Sequence, residues 1–382
     1  MKKIVSYLLV AMLAIGCLTG CGKADSGDKV FKIGGSGPLT GGAAAYGDAV
    51  NKGAQIAVEE INAAGGINGV KIEWKMEDDE HDAEKGVNAY NSLKDWGMQI
   101  FMGTVTSGPC IAVEAEASND NMFLLTPSGT AVDCISGKNA FRLCFSDPAQ
   151  GTKSAEYIGK NKIASKVAII FDSSDPYSAG ICESFKSEAS KQGIDVVASE
   201  AFTSDSKTDF KVQLQKAKDS GAELLFLPIY YQEASLILSQ ANEMGFSAKI
   251  FGCDGLDGIL GVENFDVKLA EGVMLLTPFA VDAQDDLTKK FVAAYAEKFN
   301  GEVPIQFAAD AYDAIYAIKA AIEKSGATAD MSASELCDKM SAAMTEITLT
   351  GLTGTITWEA SGEPNKEPKA VVIENGAYKA MQ

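Results

Sequence analysis

The stretch 32–74, KIGGSGPLTGGAAAYGDAVNKGAQIAVEEINAAGGINGVKIEW, constrains the fold more than any other part of the chain. A short strand pattern runs into a glycine-rich loop and then an aromatic, Tyr46. A long helical pattern follows, with Val50, Ala54, Ala57, Val58 and Ile61 at i, i+4, i+7, i+8 and i+11 along one stripe. Gly65-Gly66 is a helix stop, because a left-handed residue there is cheap only for glycine. A second strand pattern begins at once. Strand, loop, helix and strand in that order predict an α/β unit.

The middle of the chain repeats the alternation. Apolar runs at 100–102, 123–125, 167–171, 224–227 and 273–276 are separated by helical patterns such as 149–160, 179–192 and 232–244. Continuous apolar runs mark strands buried on both faces, so the pattern is that of doubly wound α/β sheets. A helix at 304–324 aligns Phe307, Ala311, Ile315 and Ile318. The end differs: 354–358 alternates, 362–368 is turn-rich and 370–373 is apolar, which predicts an antiparallel finish. A length of 382 residues favours two domains, yet no Pro- or Gly-rich linker separates two halves.

The first residues read as an export signal. Lys2-Lys3 precedes an apolar run at 4–15 that is too short to span a bilayer. Leu18-Thr19-Gly20-Cys21 has the form of a bacterial lipobox, with cleavage before Cys21 and lipidation of its thiol. Residues 1–20 are then a signal peptide, and 21–29 a polar tether. The expected location is extracytoplasmic, with the chain anchored to the cell membrane through lipid and not spanning it. A formal net charge of −19 argues against nucleic acid, which needs clustered basic residues.

Catalytic signals are weak. His81 is the single histidine and lies in an acidic turn, Glu77-Asp78-Asp79-Glu80-His81-Asp82. Asp82 reads as the N-cap of a helix starting at Ala83. No G-x-S-x-G nucleophile elbow is present, and the carboxylates do not follow EF-hand spacing. The glycine loop has Thr40 where a dinucleotide loop needs its third glycine, and Ala43 where a P-loop needs lysine. No enzyme activity, cofactor or metal is expected. Of the six cysteines after Cys21, none forms a C-x-x-C pair; Cys110 and Cys134 could bridge or remain buried thiols.

Binding signals lie instead at strand ends. Gly103-Thr104-Val105-Thr106-Ser107-Gly108-Pro109 follows a buried strand, and a helix is expected to start at Pro109, since proline suits the first helical position. The N–H groups of a helix start favour an anion, and Ser107 adds a hydroxyl that could bind a ligand, cap its helix, or both. Leu125-Thr126-Pro127-Ser128-Gly129-Thr130 repeats the arrangement one strand later. Further strand ends carry Tyr177, Tyr230 and Asp254.

These features resemble the type I solute-binding proteins of ABC importers, in the branched-chain amino acid (Leu/Ile/Val) receptor group. The matching residues are Gly37-Pro38-Leu39-Thr40-Gly41, Tyr46-Gly47, Glu59-Glu60-Ile61-Asn62 and Gly65-Gly66-Ile67-Asn68-Gly69. The resemblance implies two Rossmann-like lobes joined by a three-stranded hinge, the type I periplasmic-binding-protein fold. It places crossings near Ser146-Asp147, Thr277-Pro278 and 359–363. Residues 30–147 with 279–360 would form the N-terminal lobe, and 148–278 with 361–382 the C-terminal lobe.

The resemblance also implies site roles. Ser107 and Thr130 would hold a carboxylate, and Asp254 with a Ser128 carbonyl an ammonium. Tyr177 would lie over the ligand, Tyr230 would line the cleft, and Tyr46, Val105 and Phe307 would line the side-chain pocket. Some relatives bridge two cysteines where this chain has His81 and Thr106, so that link is missing. The expected function is delivery of an aliphatic or aromatic amino acid to ABC permease subunits by a monomeric, lipid-anchored receptor. An amide or small-carboxylate receptor and a ligand-sensing lipoprotein are the alternatives.

Overall fold

The computed structural model describes residues 29–381. The signal sequence, Cys21 and residues 22–28 lie outside the described residues. The first lobe is built on β1 (Val30–Gly37), α1 (Ala44–Ala63), β2 (Lys71–Asp78), α2 (Ala83–Trp96), β3 (Ile100–Met102), α3 (Ser107–Asp120), β4 (Leu124–Thr126) and β5 (Ala140–Arg142). Its five strands run parallel in the order β2-β1-β3-β4-β5. Period-two alternation divides the side chains between two faces. Ile100, Met102, Phe123 and Leu125 pack with α1, while Phe101 and Leu124 pack with Tyr90, Leu93 and Val113 of α2 and α3.

The second lobe contains α4 (Asp147–Lys160), β6 (Lys166–Asp172), α5 (Pro176–Ala189), β7 (Asp195–Phe202), α6 (Lys211–Asp219), β8 (Leu224–Leu227), α7 (Tyr231–Glu243), β9 (Lys249–Gly252) and β10 (Met274–Thr277). The chain then returns to the first lobe for α8 (Asp286–Lys298), α9 (Gln306–Ser325), α10 (Ala333–Met344) and a small hairpin of β11 (Leu349–Gly351) and β12 (Gly354–Ile356). It ends in the second sheet with β13 (Lys369–Glu374) and β14 (Ala377–Ala380), giving the order β14-β13-β10-β9-β8-β6-β7. Both final strands pair antiparallel, as the closing alternation predicts. This is the type I periplasmic-binding-protein arrangement.

Helix α1 follows its sequence pattern closely. Val50, Ala54, Ala57, Val58 and Ile61 are all buried, and Gly65 and Gly66 have φ of +107° and +80°. The Gly66 amide returns to the Ile61 carbonyl at 2.8 Å, which closes the helix end. Asp82 caps α2 by accepting from Lys85 N at 2.9 Å. One expectation changes. Helix α3 starts at Ser107 and not Pro109, with Thr106 as its N-cap; proline fits within a first turn, where N–H groups lack acceptors anyway. Cys110 and Cys134 are free buried thiols, the Cys110 Sγ lying 3.9 Å from the Cys134 carbonyl oxygen.

The first and third crossings are tied by buried polar contacts. Trp358 Nε1 donates to the Arg142 carbonyl at 2.7 Å, and Arg142 N donates to the Gly362 carbonyl at 3.1 Å. Lys366 pairs with Asp310 of α9 at 2.8 Å, both side chains being almost wholly buried. The third crossing is thereby fixed to the first and to α9.

Helix α1 packs directly on α9, and Gly53 marks the closest approach. A Cβ at Gly53 would lie 2.0 Å from the Ala308 carbonyl oxygen, which no rotamer change can move. Alanine would gain about 1 kcal/mol of helix propensity but force the helices apart at a typical cost of about 1–3 kcal/mol. We predict that Gly53→Ala lowers the urea midpoint at unchanged slope; an equal or higher midpoint would show that this contact yields freely.

Candidate functional site

The carboxyl ends of both sheets face each other across one small cavity. Tyr46, Val105, Thr106, Ser107, Ser128, Thr130, Tyr177, Tyr230, Asp254, Gly255 and Phe307 line it. All nine binding candidates from the sequence are therefore brought together. Thr106 and Gly255 join them, and both stand next to residues the sequence singles out. The side chains leave only about 10 Å³ of free space among them, room for a single water. Any larger ligand is admitted only as the lobes or side chains draw apart.

Loops after β3 and β4 form one wall. Ser107 Oγ accepts from the backbone N–H of Thr130 at 3.3 Å and of Ala131 at 3.2 Å. It does not cap its own helix, and its hydroxyl proton stays available to an acceptor in the cavity. Ser128 Oγ donates to the Val105 carbonyl at 2.7 Å, which locks the two loops together. The start of α3 adds backbone N–H groups without intrahelical partners. This wall offers donors and suits an anion.

The opposite wall comes from the second lobe. Tyr177 Oη donates to Asp254 Oδ1 at 2.7 Å and accepts from Gly255 N at 2.9 Å. Gln150 Oε1 accepts from Asp254 N at 3.1 Å, and Gln306 Nε2 donates to the Asp254 carbonyl at 3.0 Å. Asp254 is 4% exposed and, among the described residues, no cation acts on it. Burial pushes its carboxyl up to about 7. This wall offers a buried acid that a cation would hold ionised.

Aromatic rings close the remaining sides. Tyr46 stacks on Phe307 with centroids 4.3 Å apart, and Tyr177 stacks on Tyr230 at 4.9 Å. Tyr46 also spans the lobes, donating to the Gly255 carbonyl and accepting from Tyr231 N at 3.2 Å. At the mouth, His81 Nδ1 lies 2.9 Å from Thr106 Oγ1. A hydrogen bond therefore joins the two positions where the sequence predicts no disulfide. The His81 ring also packs edge-on against Tyr230 of the other lobe at 5.4 Å.

A decisive supporting residue escaped the motif reading. Arg142 is completely buried; its guanidinium donates to the carbonyls of Gly129 at 3.2 Å, Thr130, Ala131 at 3.0 Å and Val132 at 3.3 Å. Its Nε faces Glu363 Oε2 at 3.3 Å. It is the only arginine in the sequence. That rarity was the available signal.

The periplasmic binding protein family model matches residues 30–374. The chain belongs to this family. Its members are solute-binding proteins of ABC transporters and not enzymes. A Brucella melitensis biotype 1 protein, "Leu/Ile/Val-binding protein homolog 3", is 34% identical over 333 residues, covering 85% of this chain and 87% of that one. A crystal structure of the branched-chain amino acid transporter substrate-binding protein LivJ from Streptococcus pneumoniae, in complex with isoleucine, superposes with a TM-score of 0.83 at 31% identity, covering 92% of this chain and 98% of that one. A solute-binding protein from R. palustris in complex with benzoate shares the fold at a TM-score of 0.82 and 19% identity, covering 92% of this chain and 95% of that one. The chain thus sits among branched-chain amino acid ABC substrate-binding proteins.

Buried acids carry a consequence for this binding protein without ligand. Burial raises Asp254, Asp175 and Asp79 to about 7 and Asp257 to about 6. Such groups hold protons in the folded state that the unfolded chain, with carboxyls near 4, has already lost. Their stabilisation is complete below about pH 4 and is lost as pH rises through about 7. His81, lowered by burial, opposes this below about 6.5, one group against several. We predict that the ligand-free protein melts higher at about pH 5.5 than at about pH 8, and that Asp254→Asn narrows the gap. A melting temperature that climbs with pH would contradict the burial argument.

Proposed function

We propose that this protein binds a small zwitterion, an α-amino acid with an apolar side chain, between its lobes. The observation that carries the reading is the pairing of opposite chemistries across one cavity. Donors from Ser107, Thr130 and the start of α3 face the buried carboxylate of Asp254. A zwitterion satisfies both walls at once. In this reading the Ser128 carbonyl also takes the ammonium, Tyr177 and Tyr230 cover the ligand, and Tyr46, Val105 and Phe307 receive its side chain. The isoleucine complex of the S. pneumoniae relative supports an aliphatic ligand. A benzoate-type ligand, which the R. palustris protein of like fold binds, would leave Asp254 buried beside another anion, an arrangement that costs several kcal/mol.

Residues 30–147 with 279–360, and 148–278 with 361–382, would move as two units about the crossings. The closed, monomeric form would deliver its cargo to permease subunits in the membrane. A signal peptide at 1–20 and lipidation of Cys21 would hold the protein at the outer face of the cell membrane. Among the described residues no helix is long and apolar enough to cross a membrane, which agrees with an anchor outside the folded body.

Thermal unfolding against single amino acids tests the reading. Ligand at a hundred times its dissociation constant adds about 2.7 kcal/mol, so leucine, isoleucine or valine should raise the melting temperature by several degrees. Asp254→Ala should abolish that response. Stabilisation by benzoates or amides but by no amino acid would overturn the zwitterion assignment. The anchor has its own test: Cys21→Ala should move the protein from the membrane fraction to the soluble one, and unchanged membrane retention would exclude Cys21 as the anchor.

A further inference from the structure

Behind the cavity lies a carboxyl group that the binding reading does not use. Asp147 is the first residue of α4, at the first crossing between the lobes. It is 1% exposed, and neither of its oxygens completes a hydrogen bond. Its backbone N–H donates to the Thr130 carbonyl at 2.9 Å, and the Thr130 hydroxyl is its side-chain neighbour. Thr130 Oγ1 lines the cavity and is likewise buried without a partner. Two unsatisfied polar groups thus stand side by side, one of them reaching the ligand space.

The charge of Asp147 decides what Thr130 can do. A hydroxyl has one proton to give and two lone pairs to accept with. An ionised Asp147 would take that proton, leaving Thr130 only as an acceptor toward the cavity. A neutral Asp147 has a proton of its own to donate to Thr130 Oγ1, which frees the threonine proton for the ligand.

The surroundings favour the neutral acid. Asp254 and Cys253 act on Asp147 from the loop after β9, Asp175 from the start of α5, Tyr230 from the start of α7, and Cys134 from the loop after β4. Among the described residues Arg142 is the cation that acts on Asp147, but its terminal N–H groups are spent on four carbonyls and its Nε faces Glu363 Oε2 at 3.3 Å. Beyond Asp254, Asp310 is already paired with Lys366. A wholly buried carboxylate without a dedicated cation takes up a proton. Burial is the largest influence and, with the Asp254 charge, pushes Asp147 well upward, outweighing the Thr130 hydroxyl and the Arg142 charge, which pull it down.

We propose that Asp147 is a positioning residue: as a neutral carboxylic acid it donates to Thr130 Oγ1 and so turns the Thr130 hydroxyl proton toward the carboxylate of the bound amino acid. The inference rests on the zwitterion reading above and adds the group that sets the polarity of its anion wall. A buried neutral acid used as a donor is a known physical strategy.

Asparagine is the discriminating substitution, because its amide is neutral, similar in shape and able to donate. With L-isoleucine as the probe, calorimetric titration at about pH 7 should give Asp147→Asn an affinity within about threefold of the parent. Asp147→Ala and Thr130→Val should each bind about tenfold more weakly, and the double variant no more weakly than Thr130→Val alone. Infrared difference spectra should show a protonated carboxyl band that Asp147→Asn removes. A folded Asp147→Asn that loses tenfold or more in affinity would overturn the proposal, since an anion would then be the working form. So would an Asp147→Ala that binds like the parent. If Asp147→Ala fails to fold, the asparagine variant and the infrared band still decide. Failure of the parent to bind any aliphatic amino acid would overturn the zwitterion reading, and this proposal with it.

Discussion

The contact on which the site most depends is the guanidinium of Arg142. A strand end followed by a loop must leave carbonyl groups pointing inward, and buried carbonyls need donors. Arg142 supplies them to four consecutive residues, 129–132, from the end of the neighbouring strand. That fixes the loop carrying Ser128 and Thr130. Its backbone holds the third crossing through Trp358 and Gly362, so the same residue joins the binding loop to the hinge region. Lysine could not substitute, having three donors on a point charge and no planar fork. Arginine also brings a charge that never dissociates, facing Glu363 at the rim of the burial.

Much of the fold was legible because its signals are local. The stripe of α1, the Gly65-Gly66 stop and the apolar runs of β3 and β8 follow from periodicity and glycine chemistry alone, and their bounds agree with the structure within a residue or two. Helix α3 moved by two residues because proline is tolerated throughout a first turn, so Pro109 marks the turn and not its first residue. Helices α8 and α10 were not singled out. The Ser332–Glu335 capping box at the start of α10 was a local signal open to the sequence reading.

The site divides differently. Strand-end residues were readable because open α/β sheets place ligand crevices there, and the geometry gathers Tyr46, Ser107, Thr130, Tyr177 and Asp254 from five separate segments. What no pattern revealed was the layer behind them. Arg142, Gln150 and Asp147 touch the site through partners more than ten residues away or on another lobe, and each looks ordinary in its own segment. The His81–Thr106 contact shows the same limit. The family resemblance implies only that a disulfide is missing at those positions, and it does not reveal that imidazole and hydroxyl meet at 2.9 Å. This reversible hydrogen bond lies at the mouth of the cleft, on the face that meets Tyr230 of the second lobe.

The polar groups of the cavity are also largely satisfied by one another, which bears on how closure is controlled. Tyr46 reaches Gly255 and Tyr231, Tyr231 Oη accepts from Ala45 N at 3.2 Å, and Gln306 of the first lobe grips the Asp254 carbonyl and the Asp257 carboxylate. These bonds cross between lobes and need no ligand. Each contributes about 1 kcal/mol net, so lobe closure has favourable terms of its own. Against them stands Asp254, an acid raised to about 7 by the burial that closure imposes. Closing the lobes around an ionised Asp254 without a cation is penalised, and closing them with an ammonium in place removes that penalty. Differential stabilisation of one state is the requirement for a ligand to shift a conformational equilibrium. On this argument the interlobe bonds bring closure near to balance, and the charge on Asp254 makes the outcome depend on whether the cavity holds a cation.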